Sequence, residues 1–121
     1  MKTMSILLVD DHAMFRSGLR MVIGASMPNA TVVEAGSLEQ ALANEMEAPA
    51  VVLLDIRLPG QNGMDGIALL KRRWPAVPVL MLSSADASAT VRKALACGAA
   101  GFVSKAETAE RIVELIDRAV N

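Results

Sequence analysis

Five polar residues stand where apolar runs of strand length stop. Asp10 and Asp11 follow Met4–Val9, Asp55 follows residues 50–54, Ser83 follows 77–82, and Lys105 follows 99–104. In an open parallel sheet, binding and catalysis collect at the carboxyl ends of the strands, so one such sheet would bring all five to one edge. Three carboxylates held together repel one another, and a shared cation relieves the repulsion. Oxygen donors with coordination positions left open suit Mg²⁺, which keeps several waters and binds through few carboxylates plus phosphate oxygens. A carboxylate, that cation, a hydroxyl and an ammonium around one point are what an incoming phosphoryl group needs. Asp55 would attack phosphorus, Lys105 and the cation would neutralise the equatorial oxygens, and Ser83 would donate a hydrogen bond.

The elements that must position these residues follow from periodicity. Residues 12–26 carry Phe15, Leu19, Val22 and Ile23 at helical spacing, with Arg16 and Arg20 off that stripe. Met27-Pro28-Asn29 breaks the helix, and residues 31–35 are β-branched enough for a strand. Ser37-Leu-Glu-Gln40 has capping-box spacing ahead of a helix carrying Ala41, Leu42 and Met46. The run 50–54 is apolar on both faces, as a buried parallel strand requires. Pro59-Gly60 and Asn62-Gly63 mark residues 57–63 as a loop, and Trp74-Pro75 closes a helix over 64–73 that buries Ile67, Leu70 and Trp74. A helix over 86–96, with Val91, Ala94 and Leu95 inward, stops at Gly98, and a last helix over 107–120 buries Ile112, Ile116 and Val120. Five βα units with short links predict an α/β fold. It would be a flavodoxin-like (βα)5 doubly wound parallel sheet of order 2-1-3-4-5, in three α/β/α layers.

Composition excludes several functions. Aromatic residues make up 2% of the 121 residues, with no tyrosine, which leaves little to stack on single-stranded nucleic acid. A formal net charge of -1 is no basic footprint for DNA. One cysteine, Cys97, forms no internal disulfide, and the lone histidine offers no zinc cluster. No apolar run approaches the roughly 18 residues that cross a bilayer. The expectation is one soluble, cytoplasmic domain over 1–121.

Taken in order and at their intervals, the polar residues resemble the receiver domain of two-component response regulators. The resemblance rests on Asp10-Asp11, on Leu54-Asp55-Ile-Arg-Leu-Pro59-Gly-Gln-Asn62-Gly63, on Ser83, and on Phe102-Val-Ser-Lys105. Asp10-Asp-His-Ala-Met-Phe-Arg-Ser-Gly-Leu19 is further similar to the LuxR-type transcriptional subgroup, whose receivers usually precede a helix-turn-helix domain. The resemblance implies that Asp55 takes phosphate from a partner sensor histidine kinase or a small phosphodonor. It implies Mg²⁺ held by Asp10 or Asp11, by Asp55 and by the backbone carbonyl of Arg57. It also implies a switch in which Ser83 moves toward the phosphoryl group and Phe102 swings in behind it, repacking the face of the fourth helix, fifth strand and fifth helix. A homodimer, DNA contact only through an output domain outside this chain, and no membrane contact complete the implied partners.

The sequence departs from the family in places. Phe102 stands where tyrosine is common, so a switch here rests on packing rather than a phenolic hydrogen bond. Ala106 follows Lys105 where proline is common, and a trans bond is expected there. Arg57 and Ala85 hold positions that tune dephosphorylation in the family. Plainer readings stand beside these: Asp10-Asp11 as a helix cap, Ser83 as a strand-end hydroxyl, Lys105 as a surface lysine, Phe102 as ordinary core. Cys97 is expected to be buried, His12 to sit in the first turn beside the acids, and Met14, Met21 and Met81 to fill the core. Two other functions compete: a receiver-like dimerisation or docking module working without phosphorylation, and an aspartyl phosphatase. Against the phosphatase, Asp55-Ile-Arg lacks the second acid of an Asp-x-Asp pair.

Overall fold

A computed structural model describes residues 4–44, 46–58, 61–83 and 88–120. Five parallel strands, β1 (Met4–Val9), β2 (Ala30–Ala35), β3 (Val51–Asp55), β4 (Val79–Ser83) and β5 (Gly101–Ser104), form one sheet. Their order is β2-β1-β3-β4-β5, the order expected from the βα repeat. Side chains of a strand alternate between the two faces of the sheet. In β1, Ile6 and Leu8 therefore pack with Leu19 and Ile23 of α1 (Ala13–Ser26) and with Ile112 and Ile116 of α5 (Ala109–Val120). Leu7 and Val9 face the opposite core, made with Leu38 and Ala41 of α2 (Leu38–Ala43), Ile67 and Leu70 of α3 (Gly63–Arg73), and Ala94 of α4 (Ser88–Ala96). A sheet covered on both faces has no solvated side, which is why β3 and β4 are buried along their full length.

Local chemistry sets several element ends. Ser37 Oγ accepts the Gln40 N–H at 3.1 Å, while Gln40 Oε1 accepts the Gly36 N–H at 2.8 Å, a capping box displaced by one residue. The helix then stops at Ala43, so Met46 lies past its end rather than in it, though it still packs on the core. The Arg73 guanidinium, stacked 4.6 Å over Trp74, donates to the Leu42 carbonyl at 2.9 Å and the Asn44 carbonyl at 2.5 Å. Those carbonyls at a helix C-terminus lack intrahelical partners, and a cation there also meets the negative end of the helix dipole. Gly98 ends α4 with φ 106°, a left-handed conformation that a Cβ disfavours.

Some expectations fail for identifiable reasons. Residues 57–63 are not plain loop, because strands Arg57–Leu58 and Gln61–Asn62 pair antiparallel as a short ribbon. Met14, at 91% exposure, and Met21 project from α1 into solvent, because Leu19 and Ile23 already occupy the face it turns to the sheet. Met81 alone of the three named methionines fills the core. Leu95 and Cys97 are exposed, since α4 turns Ala94 inward, and Val120 is only half-buried at the end of α5. The Lys105–Ala106 bond is trans. The Pro59-Gly60 turn, Ala85 and the start of the fourth helix at Asp86 lie outside the described residues. Among the described residues, no helix is long and apolar enough to cross a membrane.

Candidate functional site

Strand register brings the polar residues to one edge. Val9 pairs with Leu54, so Asp10 and Asp55 leave neighbouring strands at the same level. The Asp10 N–H donates to the Ala35 carbonyl at 3.0 Å and the Ile56 N–H to the Leu82 carbonyl at 3.0 Å, which extends the ladder to Asp10 and one residue past Asp55. Asp55 pairs with Leu82, Ser83 follows it and pairs with Ser104, and the Lys105 N–H donates to the Ser83 carbonyl at 2.8 Å. The ladder thus fixes where Lys105 leaves the sheet.

The side chains converge. Lys105 Nζ lies 2.6 Å from Asp10 Oδ2 and 3.0 Å from Asp55 Oδ2. Asp10 is 0% exposed and Asp55 3%, so this ammonium bridges two carboxylates out of contact with bulk water. Asp10 Oδ2 is fully enclosed with no aligned hydrogen-bond donor, and the ion pair with Lys105 is what meets its charge. The ring of Phe15, 4.8 Å from Lys105 Nζ, adds a cation–π contact from α1. Asp11 stands at the more open mouth of the pocket. Donor atoms of Asp10, Asp11, His12 and Asp55 all lie within 4.8 Å of one another. Clustered carboxylate oxygens, one of them enclosed without an aligned donor, have the chemistry of a hard divalent-cation pocket.

The remaining predicted residues sit around this centre. Arg57 lies two residues past Asp55, in the ribbon strand opposite Asn62. Ser83 is buried at the carboxyl end of β4. Phe102 pairs with Met81 across β4 and β5, is half-buried, and shares a hollow with Leu80, Leu115 and Ala119.

Electrostatics tie the pair together. Burial pushes the Asp10 carboxyl up, but the Lys105 ammonium, the His12 N–H and the Lys105 charge outweigh it and hold Asp10 below its ordinary value of 3.8. Burial likewise pulls Lys105 down, and hydrogen bonds and charge from Asp10 and Asp55 outweigh it, raising the ammonium above 10.5.

His12 stands beside the acids as its place in the first turn implies, while Phe15 and Arg16 join the site without a signal from their type or spacing. The His12 N–H donates to Asp10 Oδ1 at 2.8 Å and its Nδ1 lies 3.1 Å from the same oxygen, so the lone histidine joins the acidic cluster. Arg16 donates from Nη1 to the Asp10 carbonyl and from Nε to Glu34 Oε1 at 3.2 Å, while Arg20 holds Glu34 Oε2 at 3.1 Å. Phe15 was read only as core. The usable signal was direction: a helical side chain leans back over the preceding turn, so residues at 15 and 16 reach toward 10–12.

The family model for the response regulator receiver domain matches residues 6–117. The chain is 41% identical over 116 residues to the transcriptional activator protein ExaE of Pseudomonas putida, covering 95% of this chain and 54% of that protein. It is 33% identical over 118 residues to the nitrate/nitrite response regulator protein NarL of Escherichia coli strain K12, covering 95% and 54%. The chain thus spans about half the length of these curated relatives. A two-component response regulator of the LuxR family from Aurantimonas sp. SI85-9A1 superposes with a TM-score of 0.88 at 31% identity, covering 98% of this chain and 86% of that one. A CheY-like receiver from Methanospirillum hungatei JF-1 shares the fold at a TM-score of 0.89, 21% identity and coverage of 98% and 94%. Register, pocket and relatives agree, and the chain belongs to the response regulator receiver domains.

Proposed function

We propose that this chain is a phosphorylation-dependent signalling switch whose acceptor is Asp55. A carboxylate oxygen of Asp55 attacks phosphorus, the P–N bond of a kinase phosphohistidine breaks, and an acyl phosphate forms as the imidazole leaves with the bonding pair. The observation that carries this reading is the Lys105 ammonium, 3.0 Å from Asp55 Oδ2 inside a buried pocket of acids. There it is placed to neutralise oxygen charge as it develops, in surroundings where water screens little. Asp10, Asp11, Asp55 and the Arg57 carbonyl would hold Mg²⁺, which when bound supplies further charge neutralisation. Ser83 serves as hydroxyl donor to the phosphoryl group. Phe102, half-buried beside Met81 against the core that holds Ala94 of α4, carries the change to the α4–β5–α5 face, where the added charge of roughly −1.5 to −2 biases one of two packings.

The partners follow from the same reading: a sensor histidine kinase as donor, a second copy as dimer mate, and DNA through an output domain in a longer protein. Residues 1–121 would then be its receiver domain, working in the cytoplasm to control transcription, as the name of the transcriptional activator ExaE says of that protein. The domain turns over no metabolite, and its one catalytic act is on itself.

Intact-mass measurement after a small phosphodonor plus Mg²⁺ tests this. One added phosphate is expected on the wild type and none on Asp55→Asn. No added phosphate on either protein would instead favour a docking module that works unphosphorylated. Steady phosphate release from a generic ester would favour the phosphatase reading.

A further inference from the structure

His12 is the chain's single histidine and stands at the N-cap of α1, yet its ring makes no capping hydrogen bond. The ring turns toward the carboxylates instead. Nδ1 lies 3.1 Å from Asp10 Oδ1, 3.5 Å from Asp11 Oδ1 and 3.9 Å from Asp55 Oδ2. Donor atoms bonded to one ion at roughly 2.0–2.2 Å are separated by about 2.9 to 4.3 Å, from adjacent to opposite positions. All three separations fall in that span. A proton on Nδ1 serves one oxygen at a time, whereas one ion bonds the nitrogen and all three oxygens together.

One further observation bears on the lone pair of this nitrogen. Lys105 Nζ, which already meets the charge of Asp10 Oδ2 at 2.6 Å, stands 3.4 Å from His12 Nδ1, so the nitrogen faces positive charge. The ring is also free to adjust, because its side chain is 68% exposed while the backbone N–H stays anchored on Asp10.

We propose that His12 Nδ1 is a direct metal ligand here. It would convert an oxygen set into a mixed nitrogen–oxygen site that favours a borderline divalent cation such as Zn²⁺ over Mg²⁺, beyond what the carboxylates alone achieve. This rests on the pocket being a divalent-cation site, as proposed above, and adds the residue that sets its selectivity. Imidazole suits Zn²⁺, whereas Mg²⁺ is served by carboxylate, carbonyl and water, so loss of the ring weakens the two ions unequally. In the ligating tautomer Nδ1 is unprotonated and Nε2 carries the proton.

The test uses the full chain carrying Cys97→Ser, because that exposed thiol is a zinc ligand in its own right. With one histidine, ¹⁵N labelling gives a single pair of imidazole nitrogens. Zn²⁺ titration is expected to shift Nδ1 far more than Nε2, in step with the calorimetric binding curve. His12→Ala is expected to weaken Zn²⁺ about tenfold or more and Mg²⁺ by a much smaller factor. A dominant shift on Nε2, no shift on either nitrogen, or equal losses of both ions in His12→Ala overturns the assignment. Binding of neither ion to the wild type, or binding that persists in Asp55→Asn, overturns the cation pocket itself and this inference with it. Should His12→Ala fold poorly, the wild-type resonances decide alone.

Discussion

Lys105 Nζ lies 3.0 Å from Asp55 Oδ2 across 50 residues of sequence, and the same ammonium reaches Asp10 Oδ2 at 2.6 Å. One side chain thus compensates two buried acids delivered by adjacent strands. Breaking such an arrangement costs more than forming it gains, because the partners are left buried and uncompensated.

Lys105→Met is therefore expected to lower stability at pH 7 by about 3 kcal/mol or more, read from urea denaturation midpoints at unchanged slope. Adding Asp10→Asn to that variant should recover part of the loss, since one of the stranded charges is gone. An unaltered midpoint in the single variant would show that the ammonium does not stabilise the pair.

Asp11→Asn should behave in the opposite way. The site holds three acids against one ammonium, and Asp11 is the one nearest solvent. In chelator, removing its charge is expected to raise stability by about 0.5–1 kcal/mol through relief of like-charge repulsion. Mg²⁺ binding stabilises only the state that holds it, so the increment that added Mg²⁺ gives the wild type should shrink in this variant. Equal increments in both proteins would remove Asp11 from the cation site.

The two displaced titrations predict a stability plateau with distinct edges in chelator. Asp10 is held below its ordinary 3.8, so its contribution is complete above that pH and is lost as pH falls through the lower folded value. Lys105 is raised above 10.5, so its contribution is complete below that pH and is lost as pH climbs through the higher folded value. Asp10→Asn should flatten the acid edge and Lys105→Met the alkaline one, as measured by denaturation across pH. Persistence of the acid edge in Asp10→Asn would assign it to other carboxylates.

Two glycines should respond with opposite signs. A Cβ on Gly24, inside α1, would meet nothing within 4 Å, so Gly24→Ala is expected to stabilise by about 0.5–1 kcal/mol through helix propensity. Gly98 sits at φ 106°, and Gly98→Ala should destabilise by about 1 kcal/mol or more. Thermal melts that rank the two variants the other way would contradict the conformations assigned here.

Much of this arrangement was legible in the residues. Strands buried on both faces must be apolar throughout, so β1, β3 and β4 announced themselves, and the polar residue ending each run marked the sheet edge. What stayed hidden depends on direction and competition rather than type. Met14 and Met21 share helical spacing with core residues, and only the placement of Leu19 and Ile23 shows which side α1 buries. Met46 lies past the end of α2, where Arg73, a residue far along the chain, holds the Leu42 and Asn44 carbonyls. Sequence adjacency put His12 beside the acids, but not the contact itself, which comes from where the His12 N–H pins the carboxylate of Asp10.

The pairing of Val9 with Leu54 constrains how this architecture tolerates insertions and deletions. Side chains flip sides at every step along an extended chain, so one residue added or removed within β1 or β3 would aim its terminal acid at the wrong layer of helices. Connections on the far rim carry no such phase, and added length there costs only loop entropy. Length change in descendants of this chain is thus expected to accumulate at the amino-terminal rim of the sheet and to spare the two central strands.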